Sequence, residues 1–419
     1  MRVRRSVAEK SCSIFPFNPW PLTILRMRNI VILGAGVNGA VAAIELRQRG
    51  HRVTLLDPGP LPHPLAASTD ISKAVRSCYG ADEDYTAMGE RAVAGWHQWN
   101  AQFGLTLYHE IGVMFLRREE MQPGDYEYET YRVLKKRGHR VERMTPDRLG
   151  QKFPAWNPAC FPDGVYDPAG GYAESGRVVT ELLKMARSLG VELREGAEFR
   201  ELDLNGRGVK GVVLRDGTRL PADAVVAAMG AWTPHLLPFT QKFFRSTGHP
   251  IFHLRPNDIE PFAPRHFPMF GADITGTGFY GFPATNDGVV KIGIHGPGRE
   301  MAPDAPERVV LPEEEARLRD FLAWAFPDLA SAPIVFTRVC LYCDTNDGDL
   351  WIAADPERPG LVVAAGDSGH GFKFAPILGG LIADATEEKE NPLLQKFRWR
   401  PEVRPGLKKE AARFVPGKG

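Results

Sequence analysis

The chain has 419 residues, 43% hydrophobic and 25% charged, with a formal net charge of +1. That balance suits a globular protein with two cores and excludes a strong field for nucleic acid or an anionic membrane. Five cysteines (Cys12, Cys78, Cys160, Cys340, Cys343) form no disulfide framework, which suits a reducing, cytoplasmic setting, and no run reaches the ~18 apolar residues that span a bilayer.

Residues 1–26 carry Arg2, Arg4 and Arg5 ahead of Pro16, Pro19 and Pro21. The apolar stretch is too broken for a secretory core. We expect an extension, disordered or lying upstream of a natural start at Met27. From Val31 the pattern changes. An apolar strand, Val31–Leu33, runs into Gly34-Ala35-Gly36-Val37-Asn38-Gly39, then into a helical pattern (Val41, Ile44, Leu46) that ends near Gly50. A second strand, Val53–Leu56, ends at Asp57, eighteen residues after Gly39. Glycines at this spacing serve a tight turn, a close approach to pyrophosphate and helix packing, and the acid suits ribose hydroxyls. The pattern predicts dinucleotide binding. The alternative is a glycine turn that binds nothing.

A Pro-rich loop, Pro58 to Thr69, leads to Asp70-Ile71-Ser72-Lys73-Ala74-Val75-Arg76-Ser77-Cys78-Tyr79-Gly80. A helix is expected over 82–100, short strands near Leu107 and Val113–Leu116, and a charged helix over 127–138. Residues 146–171 are dense in Pro and Gly and read as irregular. An amphipathic helix over 176–189 precedes a strand at 191–193, then hairpins about Asn205-Gly206 and Asp216-Gly217. Residues 224–229 form a buried strand. Residues 237–335 are strand-rich, with alternation in 279–282 and 289–294, and 313–325 is helical. Finally Leu361–Ala365 delivers Gly366-Asp367-Ser368-Gly369-His370-Gly371-Phe372-Lys373, and Pro376 opens an apolar helix. Glycines allow the backbone close to a flat ligand, and a helix N-terminus with Lys373 favours an anion. An ordinary turn before a helix is the alternative.

These segments predict an α/β chain with a sheet-based α+β second domain. A Rossmann-like FAD-binding domain would be assembled from 27–95, 165–236 and 334–390. A substrate domain would take 96–164 and 237–333, and 391–419 would be a tail.

Five motifs in order carry a resemblance: Gly34–Gly39 with Asp57; Lys73–Gly80; Tyr280-Gly281-Phe282-Pro283 with Lys291-Ile292-Gly293-Ile294-His295; Val339-Cys340-Leu341-Tyr342; and Gly369–Phe374. Together, over about residues 29–385, the chain resembles the monomeric sarcosine oxidase family of D-amino-acid-oxidase-like FAD enzymes. That family includes N-methyltryptophan, pipecolate, saccharopine and fructosyl amino acid oxidases. The resemblance implies FAD held by Gly34, Gly36, Gly39 and Asp57, with Gly369, Gly371 and Lys373 at the flavin and Cys340 linked to it through sulfur. A buried small hydrophobe, or a Cys340–Cys343 redox or metal pair, is the other reading of that cysteine. Cys343 competes for the link, and no complete metal set is present.

It further implies that Arg76 and Lys373 bind the substrate carboxylate, with Tyr280 and Tyr342 as aromatic pocket residues. Lys291 would activate oxygen, with His295, His370 and Lys73 in the catalytic set. Structural roles for the histidines and tyrosines compete with these. Lys73 stands where sarcosine oxidases carry arginine, and Asp344-Thr345 favours the fructosyl and saccharopine branches. The implied activity is oxidation of a secondary α-amino acid to an imine, with O2 reduced to H2O2, by a monomer that binds no nucleic acid or membrane. A dehydrogenase using another acceptor, a non-catalytic flavoprotein subunit, and an NAD enzyme are the alternatives.

Overall fold

The strand Asn29–Leu33 is apolar on both sides, so it can only lie inside a sheet covered on both faces. Ile30 and Ile32 face one core, and Val31 and Leu33 face another. The computed structural model describes residues 27–404 and 410–414, and every count below refers to those residues. The extension expected over 1–26 lies outside them.

A six-stranded sheet has the order Trp351–Ala354, Leu361–Ala365, Ala224–Ala227, Asn29–Leu33, Arg52–Asp57, Glu192–Glu195. Neighbours run parallel except at Trp351–Ala354. Helices Val37–Gln48, Ser175–Ser188 and Ala375–Thr386 cover one face. The antiparallel meander Phe199–Asn205, Gly208–Leu214, Arg219–Pro221 covers the other. The strands end together at Leu33, Asp57, Ala227 and Ala365. Ligands of such sheets bind beyond those carboxyl ends.

A nine-stranded sheet forms the second layer. Its path runs through Phe244–Leu254, Val290–Ile294, Phe279–Phe282, Met269–Ala272, Val113–Arg117 and Asp163–Asp167, with Ile334–Thr345 lying antiparallel along Phe244–Leu254. Its core is aromatic, with Trp156, Phe161, Phe252, Phe267, Phe270, Phe321 and Phe326 in one cluster. A small sheet joins Lys73–Val75, Gly171–Ala173 and Tyr108–Glu110.

The irregular stretch expected over 146–171 is a correction. It contains the helix Pro146–Lys152 and the strands Asp163–Asp167 and Gly171–Ala173. Pro146 opens that helix, where its missing N–H costs nothing. The glycines mark close packing rather than loops: a Cβ on Gly171 would lie 1.9 Å from the carbonyl oxygen of His109. Within the segment set apart as a tail, residues 391–404 pack onto the fold. Phe397 is fully buried, and the Arg400 guanidinium donates to both oxygens of Asp347 at 2.7 and 2.8 Å.

Gly34 has φ +93°, and a Cβ there would lie 2.6 Å from the carbonyl oxygen of Ala228. Gly34→Ala should therefore lower the unfolding free energy by about 2–4 kcal/mol, read as a lower urea midpoint. An unchanged midpoint would show that the turn re-forms around a side chain.

Candidate active site

The turn after the first strand is built by its own backbone. Gly34 N–H donates to Leu56 O at 2.8 Å, and Asp57 accepts from Ala35 N–H at 2.9 Å and from Gly59 N–H at 3.1 Å. Part of the acid's capacity thus holds the glycine turn, and burial raises its pKa. Gly39 packs inward, because a Cβ there would lie 1.9 Å from Gly34 O. The helix Val37–Gln48 has no acid in its first turn, and its first N–H donates to Ser68 Oγ at 3.3 Å. Its start faces a cavity of about 470 Å³ that is also lined by Gly34, Gly36, Asn38, Asp57, Cys340, Tyr342, Gly369, Gly371 and Lys373. The Asn38 side-chain oxygen is buried and lacks a protein partner. A helix start, an unpartnered amide oxygen that can accept from a ligand hydroxyl, and bare glycine backbone at one cavity are a set that fits an elongated dinucleotide.

On the second layer the site is cationic. Lys291, on Val290–Ile294, is completely buried. Its Nζ lies 2.6 Å from Asp70 Oδ2, donates to Ser72 O, and faces the Phe282 ring at 4.7 Å. Lys73 Nζ lies 3.3 Å from the same carboxylate oxygen. Burial opposes ionisation of Asp70, yet Lys291 and Lys73 hold its carboxyl well below the usual range. Burial pushes Lys291 down to about 8 against the pull of Asp70. Lys73 and Phe282 line the cavity, and Lys291 sits behind that ring. Sequence reasoning missed Asp70. A buried lysine in an apolar strand implied an acid somewhere, but nothing in the spacing pointed to a residue 221 positions earlier.

Arg76 and Lys373 both line the cavity and are both buried. Arg76 donates to Cys78 O, to Tyr126 OH at 3.1 Å, and to Glu410 Oε1 at 3.0 Å, and its guanidinium lies 4.5 Å from the Tyr79 ring centre. Glu410 Oε2 lies 3.0 Å from His295 Nε2. Lys373 Nζ donates to His370 O at 2.6 Å. Burial, then the charge of Arg76, pushes the Lys373 ammonium well below its ordinary pKa. An anion arriving between the two would reverse that. Sequence reasoning also missed Glu410, which lies in a segment without motif or periodicity.

The two histidines differ. His370 Nδ1 pairs with Tyr79 OH at 3.1 Å and Nε2 with Gly348 O at 2.9 Å, so both ring nitrogens are engaged, and burial pushes its pKa down to about 3. It is a neutral, fixed ring. Burial also lowers the pKa of His295 against the pull of Glu410. Tyr342 stacks on His249 with centroids 3.7 Å apart, and a Cβ on Gly369 (φ +79°) would lie 2.2 Å from the Tyr342 ring. Gly369 thus lets the loop close over that tyrosine.

Strand alternation separates the cysteines. Cys340 clusters with Ile251, Tyr342 and Tyr280, and Lys73 Nζ lies 3.7 Å from its sulfur. Cys343 falls on the opposite face, in the core shared with Trp351. Burial raises its thiol pKa. A redox or metal pair needs both sulfurs on one side, which this strand denies.

Residues 29–385 match the family described as FAD dependent oxidoreductase, DAO. The chain belongs to that family. It is 25% identical to monomeric sarcosine oxidase of Bacillus sp. (strain B-0618) over 397 residues, 91% of this chain and 98% of that protein. It is 28% identical to N-methyl-L-tryptophan oxidase of Yersinia pestis (strain Pestoides F) over 372 residues, 87% of this chain and 96% of that one. Among solved structures it is similar to Amadoriase I, a fructosyl amine:oxygen oxidoreductase of Aspergillus fumigatus (TM-score 0.76, 25% identity, 90% of each chain). It shares the fold of Amadoriase II, a fructosamine oxidase of the same organism (TM-score 0.81, 24% identity, 93% of this chain and 94% of that one). The chain is an FAD-dependent oxidoreductase of mixed α/β fold. Among the described residues no helix is long and apolar enough to cross a membrane.

Asp70→Asn should destabilise the fold by about 3–5 kcal/mol near neutral pH, because it leaves Lys291 buried without its counter-charge. The folded Asp70 ionises at lower pH than the unfolded one. Its contribution is therefore complete above the unfolded pKa and fades as pH falls toward the folded one, so the variant and parent urea midpoints should converge below about pH 4. A gap that persists in acid would mean that packing, not charge, is what Asp70 supplies.

Proposed function

We propose that this protein oxidises a secondary, N-substituted α-amino acid, with O2 as the final acceptor. The observation that carries the reading is the presence of Arg76 and Lys373 in the same cavity as the glycine turns and Cys340. A planar guanidinium and an ammonium together suit a substrate carboxylate. In this reading 27–95, 165–236 and 334–390 hold FAD, and 96–164 with 237–333 enclose the amine. Gly34, Gly36 and Asp57 take the ADP half, with Gly39 packed behind them. Gly369, Gly371 and Lys373 take the flavin, and Cys340 is its covalent tether.

FAD supplies the two-electron acceptor for the C–H beside the amine nitrogen, and O2 regenerates it while forming H2O2. The protein's own part is orientation and charge. Arg76 and Lys373 fix the carboxylate, and through it the C–H. Tyr280, Tyr342 and the neutral His370 wall the pocket without drawing the amine's proton position toward an ammonium. Lys73 in the wall, with Lys291 and Asp70 behind it, carries a net charge of +1, which favours negative charge as O2 is reduced. The imine product hydrolyses in water. One observation favours a second reading, a dehydrogenase with another acceptor: Lys291 is already bound to Asp70 and Ser72 O.

Anaerobic addition of sarcosine, N-methyltryptophan, pipecolate, saccharopine or a fructosyl amino acid should bleach the flavin absorbance with at least one of them. Bleaching by none would sink the amine reading. Air should then restore the colour. Lys291→Met should slow that reoxidation by about 10²-fold or more. In the parent, reoxidation should slow as pH rises through about 8, where Lys291 loses its proton. Reoxidation that is slow in the parent and unchanged in the variant selects the dehydrogenase. Acid precipitation should give a yellow pellet from the parent and a colourless one from Cys340→Ser, and a yellow variant pellet would move the link elsewhere.

A further inference from the structure

The residue that Arg76 holds is not a structural acid of the sheet or helices around it. Glu410 belongs to a short segment, 410–414, that crosses from the far end of the chain onto the site. Its carboxylate spans Arg76 Nη2 and His295 Nε2, at 3.0 Å each. Its second oxygen also accepts from Ala412 N–H at 3.0 Å, so the segment turns back on the acid it delivers. Beyond that turn the segment is latched. Arg413 forms two 2.8 Å bonds to Asp344 and donates to Gly296 O at 2.6 Å. Phe414 N–H donates to His295 O at 3.0 Å, and the Arg317 guanidinium lies 5.2 Å from the Phe414 ring. Ala412 is fully buried and Glu410 nearly so.

The charge balance has a consequence. Arg76 and Lys373 are the buried cations among those that line the cavity, and Glu410 already neutralises the first. A substrate carboxylate would meet a guanidinium that is in contact with another carboxylate, and two carboxylates side by side repel.

We propose that Glu410 is an internal carboxylate ligand of Arg76, that the carboxylate of the substrate exchanges with it, and that segment 410–414 is a strap which must yield for the Arg76–Lys373 clamp to form. This rests on the reading of the substrate as an amino acid. The strap makes the site selective: only a ligand that rewards both cations displaces an acid already seated with Arg76 and His295. Neutral amines gain nothing by displacing it. Apparent affinity for any carboxylate is reduced by the fraction of molecules in which Arg76 is occupied from within.

The test uses acetate as the carboxylate probe on FAD-loaded full-length protein, with perturbation of the flavin spectrum giving Kd. In the parent, acetate should bind weakly. In Glu410→Gln it should bind about tenfold more tightly or better, because the internal competitor has lost its charge. Arg413→Ala loosens the latch without touching Arg76 and should shift Kd in the same direction. Should the glutamine variant be poorly folded, Glu410→Ala supplies a second measurement. Added acetate should raise its melting temperature by about 3 °C or more while barely moving the parent, since a ligand stabilises the state it fills. Acetate binding that is no tighter in the variants than in the parent, together with no acetate-dependent stabilisation of Glu410→Ala, would overturn the proposal and make Glu410 a fixed wall. The melting arm needs no turnover, and anaerobic bleaching by an N-substituted amino acid needs no strap. Bleaching with unchanged acetate affinity in the variants and no stabilisation of Glu410→Ala by acetate therefore defeats the strap alone. Absence of bleaching with tighter acetate binding defeats the substrate reading alone.

Discussion

Three cations, Arg76, Lys291 and Lys373, are buried around one cavity, and a buried charge survives only where its partners are fixed as firmly as it is. Each cation has found a different solution. Lys291 has Asp70 and a backbone carbonyl. Arg76 has two oxygen acceptors near Cys78 and the carboxylate of Glu410. Among the described residues the Lys373 ammonium donates to one carbonyl oxygen and faces aromatic rings, without a carboxylate in direct contact, so it is the cation most open to an incoming anion. The rest of the site follows from holding these charges without water.

That requirement explains the architecture between the sheets. The strand that ends at Val75 sits in a three-stranded sheet of its own, between the parallel layer and the large antiparallel one. It delivers Lys73 and Arg76 to two separate acids, Asp70 and Glu410, within four residues. The twelve-residue strand Ile334–Thr345 brings Cys340 and Tyr342 to the cavity on one face and leaves Cys343 in the hydrophobic layer on the other. Gly369 then lets the last loop lie against Tyr342, which closes the cavity above Lys373. Aromatic stacking and charge pairing reinforce each other here, since both depend on a dry interior.

Much of the region around Gly34 to Asp57 was legible from the residues alone. The strand, Gly34–Gly39 turn, helix and Asp57 appear where their pattern puts them, because hydrophobic periodicity and glycine spacing are local signals. Residues 146–171 were misread for the converse reason. Proline and glycine usually mark loops, but here Pro146 starts a helix, and Gly164 and Gly171 admit neighbouring backbones too close for any side chain. His370 was ambiguous as a sequence position. Only its two ring contacts, with Tyr79 and Gly348, make it a fixed neutral histidine.

What the residues determined by themselves was the chemistry on offer: a glycine turn between strand and helix, two cysteines three positions apart, and basic side chains in apolar surroundings. Those properties depend on neighbours a few positions away. What the tertiary structure decided was which charge answers which. Asp70 reaches Lys291, and Glu410 reaches Arg76 across 334 positions of chain. No local pattern encodes such a pairing, because its energy comes from excluding water around both partners at once, and that happens only when distant segments close on each other.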